Sequence, residues 1–108
     1  MSLRRFIIEM GMGNDLSGQD YTKAACRAVK DALHGSSLAI LNNRPETRDG
    51  LQVKVTVGVQ EPSRVDQAKV LALLPVGEVT LDVIHGGLNA QDAVVAQASV
   101  EAFLPQQG

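Results

Sequence analysis

The stretch AACRAVKDAL, residues 24–33, decides the fold class of this 108-residue chain. Its apolar side chains recur three and four residues apart, the spacing that places them on one face of an α-helix. They are Ala25, Ala28, Val29, Ala32 and Leu33. Because most of them are single methyl groups, the helix can lie close to a neighbouring sheet. Ser17 or Asp20 can cap its start, and Gly35 can end it.

One strand is predicted before this helix and one after it. The apolar run Phe6-Ile7-Ile8 predicts a first strand over residues 5–10, buried on both faces. Residues 51–59 alternate strictly between apolar and polar, which predicts a second strand with one buried face. Between the helix and this second strand, residues 38–41 form a short apolar run of undefined type, and residues 42–50 are polar and are expected to form an exposed loop.

The second half of the chain predicts one more helix and two more strands. Ser63, followed by Asp66, resembles a capping box and predicts a short helix over residues 64–74. Residues 78–84 and 93–104 have the composition of strands, and glycines after His85 separate them.

The predicted order is therefore β-α-β-α-β-β, an α/β (α+β) domain with a four-stranded mixed sheet and both helices on one face. One domain is expected over residues 4–105, with Met1 to Leu3 interpreted as a candidate leader. The core is aliphatic and small, so the uncovered face of the sheet is expected to meet solvent or another subunit. We expect a homo-oligomer.

Composition excludes several classes of protein. The formal net charge is −2, the basic residues are scattered, and Phe6, Tyr21 and Phe103 are the only aromatic residues. Such a chain favours neither contacts with nucleic-acid phosphates nor stacking on bases, so no nucleic-acid partner is expected. No apolar run is long enough for a membrane span. The single Cys26 forms no internal disulfide, and a cytoplasmic location is expected.

The densest group of polar and glycine residues lies between residues 9 and 23. Residues 11–15 are predicted to form a turn where the first strand gives way to the helix, the place where α/β proteins often bind ligands. Backbone N–H groups at a helix start favour an anion, and glycines allow close approach. The candidate catalytic residues are Glu9, Asp15 and Asp20, and the candidate ligand-binding residues are Gly11, Met12, Gly13, Gly18, Gln19 and Lys23.

A structural interpretation of the same residues stays open. The glycines can simply shape a tight turn, and Asp20 can simply cap the helix. The GxG at residues 11–13 lacks the third glycine of a dinucleotide fingerprint, and Gln19 and Asp20 replace the Lys and Ser/Thr of a P-loop. Glu9 favours a functional site, because a carboxylate in an apolar strand needs a partner or a purpose.

Two further ligand-binding candidates follow later strands. Glu61 comes after the second strand, and it reaches the same sheet edge as the first cluster if the two strands are parallel; the alternative is a polar turn before Pro62. His85 precedes two glycines and could act as a base, although a turn or bulge is the simpler interpretation. No metal site is predicted, since no second ligand stands at a suitable spacing. Cys26 fits a packing role better than a nucleophilic one, and the sequence identifies no cofactor.

The chain resembles a small conserved family of bacterial and fungal proteins that carries a "Lin" locus-tag name. The most specific block runs from residue 6 to residue 32 and contains EMGMG, GQD and TKAA; shorter matches continue to Leu88. The resemblance implies no activity, because that family has no established function. A His common in its members is replaced here by Ser17, so no catalytic His is carried over.

The order of elements is also similar to that of trimeric bacterial chorismate mutase and the Rid-type imine deaminases. Those folds place their sites between subunits, but a shared fold transfers no reaction.

Three functional hypotheses follow. The first is a binding or catalytic site for an anionic or amide-bearing small molecule at the junction of the first strand and helix, near a subunit interface. The alternative is a non-enzymatic homo-oligomeric assembly or interaction module. A third is a divalent cation held by oxygen ligands near Glu9, Asp15 and Asp20.

Overall fold

A computed structural model of the chain describes residues 3–34, 50–74 and 77–105. Those residues form five strands and two α-helices, with a 3₁₀ turn over Pro62–Arg64. In chain order they are β1 (Leu3–Asp15), α1 (Tyr21–Leu33), β2 (Gln52–Val59), α2 (Gln67–Leu71), β3 (Glu78–His85), β4 (Leu88–Ala90) and β5 (Ala93–Pro105). The predicted helix end at Gly35 lies outside the described residues.

The sheet has the order β1-β5-β2-β3. Strand β5 runs antiparallel to both β1 and β2, while β2 and β3 are parallel, so β1, β2 and β3 share one direction. The predicted mixed α+β sheet is confirmed. The short β4, which pairs with β5 beyond the end of β2, adds a fifth strand to the four predicted. Three residues are too few to show an alternating pattern, so this strand was not predicted.

The two helices cover one face of the sheet, as predicted. Helix α1 packs on β1 and β5, and Val70 of α2 is fully buried in the same core. The alternating positions of β2 and β5 supply the rest of that core. They are Val53, Val55, Val57, Val59, Ala96, Ala98, Val100 and Ala102.

The predicted turn over residues 11–15 is wrong, because β1 continues to Asp15 and pairs with β5 along this stretch. Gly11 and Gly13 point towards α1, where an added Cβ would overlap the backbone of Ala28. The glycines therefore serve a close contact between strand and helix. Ala24, Ala28 and Ala32 make the same contact from the helix side, and all three are buried.

Three smaller predictions also need correction. The second helix is shorter than 64–74, and its cap is Asp66, whose side chain accepts a hydrogen bond from the Ala68 N–H, rather than Ser63. Leu3 belongs to β1, where it pairs with Pro105, although the domain was expected to begin at residue 4. Phe6 and Ile8 are not buried, because β1 has a helix on only one side. None of the helices in the described ranges is long and apolar enough to cross a membrane.

Candidate functional site

The loop between β1 and α1 is organised around the Asp15 carboxylate. Its Oδ2 atom accepts a hydrogen bond from the backbone N–H of Asp20 at 2.8 Å, and its Oδ1 atom lies 3.7 Å from Lys23 Nζ. The Asp15 side chain is only 6% exposed. The Asp20 N–H lowers the pKa of Asp15 most strongly; burial opposes this shift, whereas Lys23 and the Gly18 N–H act in the same direction as the Asp20 N–H.

The start of α1 is capped by the chain's own carboxylates. Asp20 Oδ1 accepts a hydrogen bond from the Lys23 N–H at 3.0 Å, as the capping interpretation predicted. Gly18 lies so close to Asp15 that an added Cβ would be 2.8 Å from Oδ2. Gln19 adopts a left-handed backbone conformation, with φ of 51°. The N–H groups of Asp20 and Lys23 at this helix start are therefore engaged by the carboxylates of the loop itself.

Glu9 lies away from this loop. It is six residues before Asp15 on the same side of β1, a separation of about 20 Å along an extended strand. Glu9 is therefore not brought together with Asp15 and Asp20, because the segment between Glu9 and Asp15 is a strand and not a turn. Their catalytic roles stay predictions, as do the ligand-binding roles of Gly18, Gln19 and Lys23. Among the described residues, no three His, Cys, Asp or Glu side chains gather at metal-binding distance.

Glu61 reaches the same sheet edge as the start of α1, since β1 and β2 are parallel. The Tyr21 hydroxyl donates a hydrogen bond to Glu61 Oε2 at 3.0 Å and accepts one from Asn89 Nδ2 at 2.7 Å. Arg64 lies 4.8 Å above the Tyr21 ring and 3.3 Å from Glu61. Tyr21 and Asn89 were missed from the sequence. Tyr21 could have been identified from the sequence, because it directly follows the helix cap and lies on the buried face of the helix.

Cys26 is partly buried within α1. Burial raises the pKa of its thiol, which disfavours the reactive thiolate. This agrees with a packing role.

The sheet face opposite the helices holds a cavity with a volume of about 750 Å³. We call it the open-face cavity. Its lining side chains come from all four long strands and from the segment after β3. They are Met10, Met12, Thr56, Ile84, His85, Gln97 and Ser99, together with Asp31 of α1 and the glycines Gly11, Gly58 and Gly86.

Strand register explains why a hollow forms here. Met12 pairs with Gln97, Gln97 pairs with Gly58, and Gly58 pairs with Ile84, so one cross-strand row contains a position with no side chain. The Gly86 backbone lies over that position, since an added Cβ on Gly58 would be 3.3 Å from the Cα of Gly86. The two glycine backbones thus form a bare floor.

The loop beside this floor is held in place by hydrogen bonds. Gln60 Nε2 donates to the carbonyl oxygens of Gly86 at 3.0 Å and Gly87 at 3.1 Å. The Gly86 N–H donates to the Val59 carbonyl at 2.9 Å. The loop that follows β3 is therefore fixed against the end of β2, which keeps His85 at the cavity wall.

Helix α1 also reaches the outer edge of β1. The Met12 N–H donates to Asp31 Oδ2 at 3.0 Å, and Arg27 Nη1 donates to the Asn14 carbonyl at 2.7 Å. These side chains satisfy backbone groups that would otherwise be free to pair with another strand. Asp31 forms one end of the open-face cavity through this contact.

The chemistry of the cavity is mostly apolar, with neutral hydrogen-bonding groups. Thr56, Gln97 and Ser99 offer donors and acceptors, and the ionisable residues within its described lining are Asp31 and His85. Of the ligand-binding residues predicted from sequence, Gly11, Met12 and His85 line this cavity, whereas Gly13, Gly18, Gln19, Lys23 and Glu61 do not.

Comparison with known proteins agrees with the resemblance noted in the sequence. The model of the Lin0512 family, described as conserved hypothetical protein, matches residues 5–102. A crystal structure from Nostoc punctiforme PCC 73102, described as an FtsZ-like protein of unknown function, is 31% identical, with a TM-score of 0.82 over 98% of this chain and 99% of the other. No curated protein matches the chain.

Proposed function

Because the chain belongs to the Lin0512 family, whose description names no activity, we propose its function from geometry: it binds a small, uncharged, amide-bearing metabolite in the open-face cavity. The observation that carries this proposal is a hollow of about 750 Å³ that combines apolar walls with three neutral hydrogen-bonding side chains. Ligand sites in proteins are typically about 300–1,000 Å³ and have the same composition.

The polar lining favours an uncharged amide over an anion. Among the residues that the structure describes, no Lys or Arg lines the cavity, and Asp31 places a carboxylate at one end of it. An amide carries both a donor and an acceptor, as do the Gln97 carboxamide and the hydroxyls of Thr56 and Ser99. The helix start, where an anion was expected, already binds Asp15 and Asp20. This favours the amide-bearing part of the prediction, at a different place on the sheet.

A thermal-shift screen of neutral amides and lactams tests the proposal. A ligand present at 100 times its Kd stabilises the folded protein by about 2.7 kcal/mol, which is a readily measured shift. Thr56→Val should reduce the response, because it removes one hydroxyl from the lining while keeping the shape. Thr80→Val is the matched control, since Thr80 is also on the open face but outside this cavity. Equal responses from wild type and both variants would contradict the proposal.

A second candidate function is homo-oligomeric assembly through the open face. Four apolar side chains of β1 point to this face and are well exposed: Phe6 at 42%, Ile8 at 43%, Met10 at 73% and Met12 at 58%. Contiguous apolar surface of this kind is typical of protein interfaces. Light scattering should then give a mass that is a multiple of 11.5 kDa, reduced to the monomer by Ile8→Lys but not by Asn14→Lys at the polar end of the same strand. A monomeric wild type would contradict this candidate.

A further inference from the structure

The floor of the open-face cavity is flat. Gly58 leaves no side chain between Gln97 and Ile84 in its cross-strand row, and the Gly86 backbone lies over this position. A substituent at residue 58 would press against the backbone of Gly86 and Gly87. Close approach of another backbone is a common reason for glycine within a strand, and here it leaves a floor of backbone without side chains.

The wall on the β1 side is made of two thioethers. Met10 is 73% exposed and Met12 58%, so both flexible side chains are available to close over a ligand. Methionine sulfur makes favourable contacts with aromatic rings, and its unbranched side chain adapts to their shape. Ile84, half exposed on the opposite side, gives a third apolar surface.

Gln97 stands between the thioether wall and the glycine floor. It pairs with Met12 on one side and with Gly58 on the other, and its side chain is exposed. A carboxamide can form two parallel hydrogen bonds with an adjacent donor and acceptor on the edge of a ring. Thr56 and Ser99, one row further along the sheet, can reach other ring atoms.

From these features we infer that the ligand is a flat nitrogen heteroaromatic ring with a lactam edge, lying on the backbone floor formed by Gly58 and Gly86, covered by Met10 and Met12, and recognised by Gln97. This inference rests on the binding function proposed above and narrows its ligand class. The glycine floor can contact the face of the ring, whereas the Gln97 carboxamide can form hydrogen bonds with its edge.

Fluorescence titration with lumazine tests the inference, because this pteridine is flat, carries lactam edges and fluoresces. The chain has no Trp and a single Tyr, so its own emission interferes little. Valerolactam, which has the amide edge but no aromatic face, is the comparison ligand and is measured by calorimetry. We expect lumazine to bind the full chain at least about tenfold more tightly than valerolactam, since aromatic stacking and sulfur contacts add to the shared amide contact.

Two variants with a matched control locate the contacts. Gln97→Leu should weaken lumazine binding roughly tenfold through loss of the bidentate contact. Gln52→Leu is the control, since Gln52 is an exposed glutamine of the same sheet face outside the cavity. Gly58→Ala should weaken lumazine binding by a similar factor. If Gly58→Ala lowers the melting temperature strongly, Met10→Ala takes its place.

The outcomes distinguish a failure of this inference from a failure of the proposed amide-binding function. Valerolactam binding as tight as lumazine binding would overturn the aromatic ligand class and leave amide binding standing. Lumazine binding that is equal in Gln97→Leu and Gln52→Leu would overturn edge recognition. Failure of both ligands to bind wild type would contradict the inference, and a negative amide screen would then contradict the proposed function as well.

Discussion

Gly13 of β1 lies against the backbone of Ala28 in α1, with no space between them for a side chain. This contact, and the equivalent one at Gly11, sets how close the helix lies to the sheet. At this contact the side chains of helix residues 24, 28 and 32 are single methyl groups, and the facing strand residues 11 and 13 have no side chain. The pairing of glycines with alanines is therefore the reason that residues 9–32 pack as one unit.

We predict that Gly13→Ala destabilises the fold by about 2–3 kcal/mol, because the added methyl group must displace the helix backbone. Chemical denaturation measures the change in the free energy of unfolding. Asn14→Ala is the control, since Asn14 is the next residue of β1 and is exposed on the opposite face. Similar unfolding free energies for the two variants would show that the strand–helix contact relaxes easily.

Asp15 should make stability depend on pH. Its folded pKa lies below the ordinary value, chiefly because of the Asp20 N–H, so the unfolded state takes up a proton first. The stabilisation is therefore present above the unfolded pKa of about 4 and is lost as the pH falls through the folded pKa. Unfolding measured across this range should show a loss in wild type that is smaller in Asp15→Asn. An identical pH dependence in both proteins would mean that the carboxylate contributes nothing.

Tyr21→Phe should destabilise the chain by about 1–2 kcal/mol. The change removes the hydrogen bonds to Glu61 and Asn89 but keeps the buried ring. A double-mutant cycle with Asn89→Ala measures the coupling between the two side chains. Additive effects would indicate that the 2.7 Å contact carries no energy of its own.

Asp31→Ala should promote self-association. The carboxylate accepts the Met12 N–H at the outer edge of β1, and its loss frees an edge donor for pairing with another chain. The cost in stability should be small, at most about 1 kcal/mol, because the contact is exposed. Light scattering as a function of concentration reports the association, with Lys30→Ala on the same helix as the control. No difference between the two variants would argue against an edge-protecting role for Asp31.

Periodicity was sufficient to predict the architecture but not the role of the glycines. The alternation over residues 51–59 and the spacing in α1 each identify an element, its type and its buried face, and the structure confirms them. Gly11 and Gly13 led to the wrong prediction of a turn, because glycine occurs both in turns and at close backbone contacts. Only the position of the helix distinguishes the two uses. The same error ended the first strand at residue 10, although β1 in fact continues to Asp15.

The open-face cavity could not be found from the sequence for a different reason. Its side chains come from residues 10–12, 56, 84–85 and 97–99, which become neighbours only through strand order and register. Neither strand order nor register can be read from the local sequence pattern. Met12 and His85 were selected for other reasons, and nothing in the sequence connected them with each other or with Gln97.

The position of β5 between β1 and β2 has a consequence for synthesis. The ribosome makes residues 3–15 first, yet their partner strand, residues 93–105, is translated last among the strands. A nascent chain must therefore hold the apolar β1 and its helix unpartnered until the final strand is released. We expect folding to be slow for a domain of this size, because the pairing of β1 with β5 joins its most distant segments.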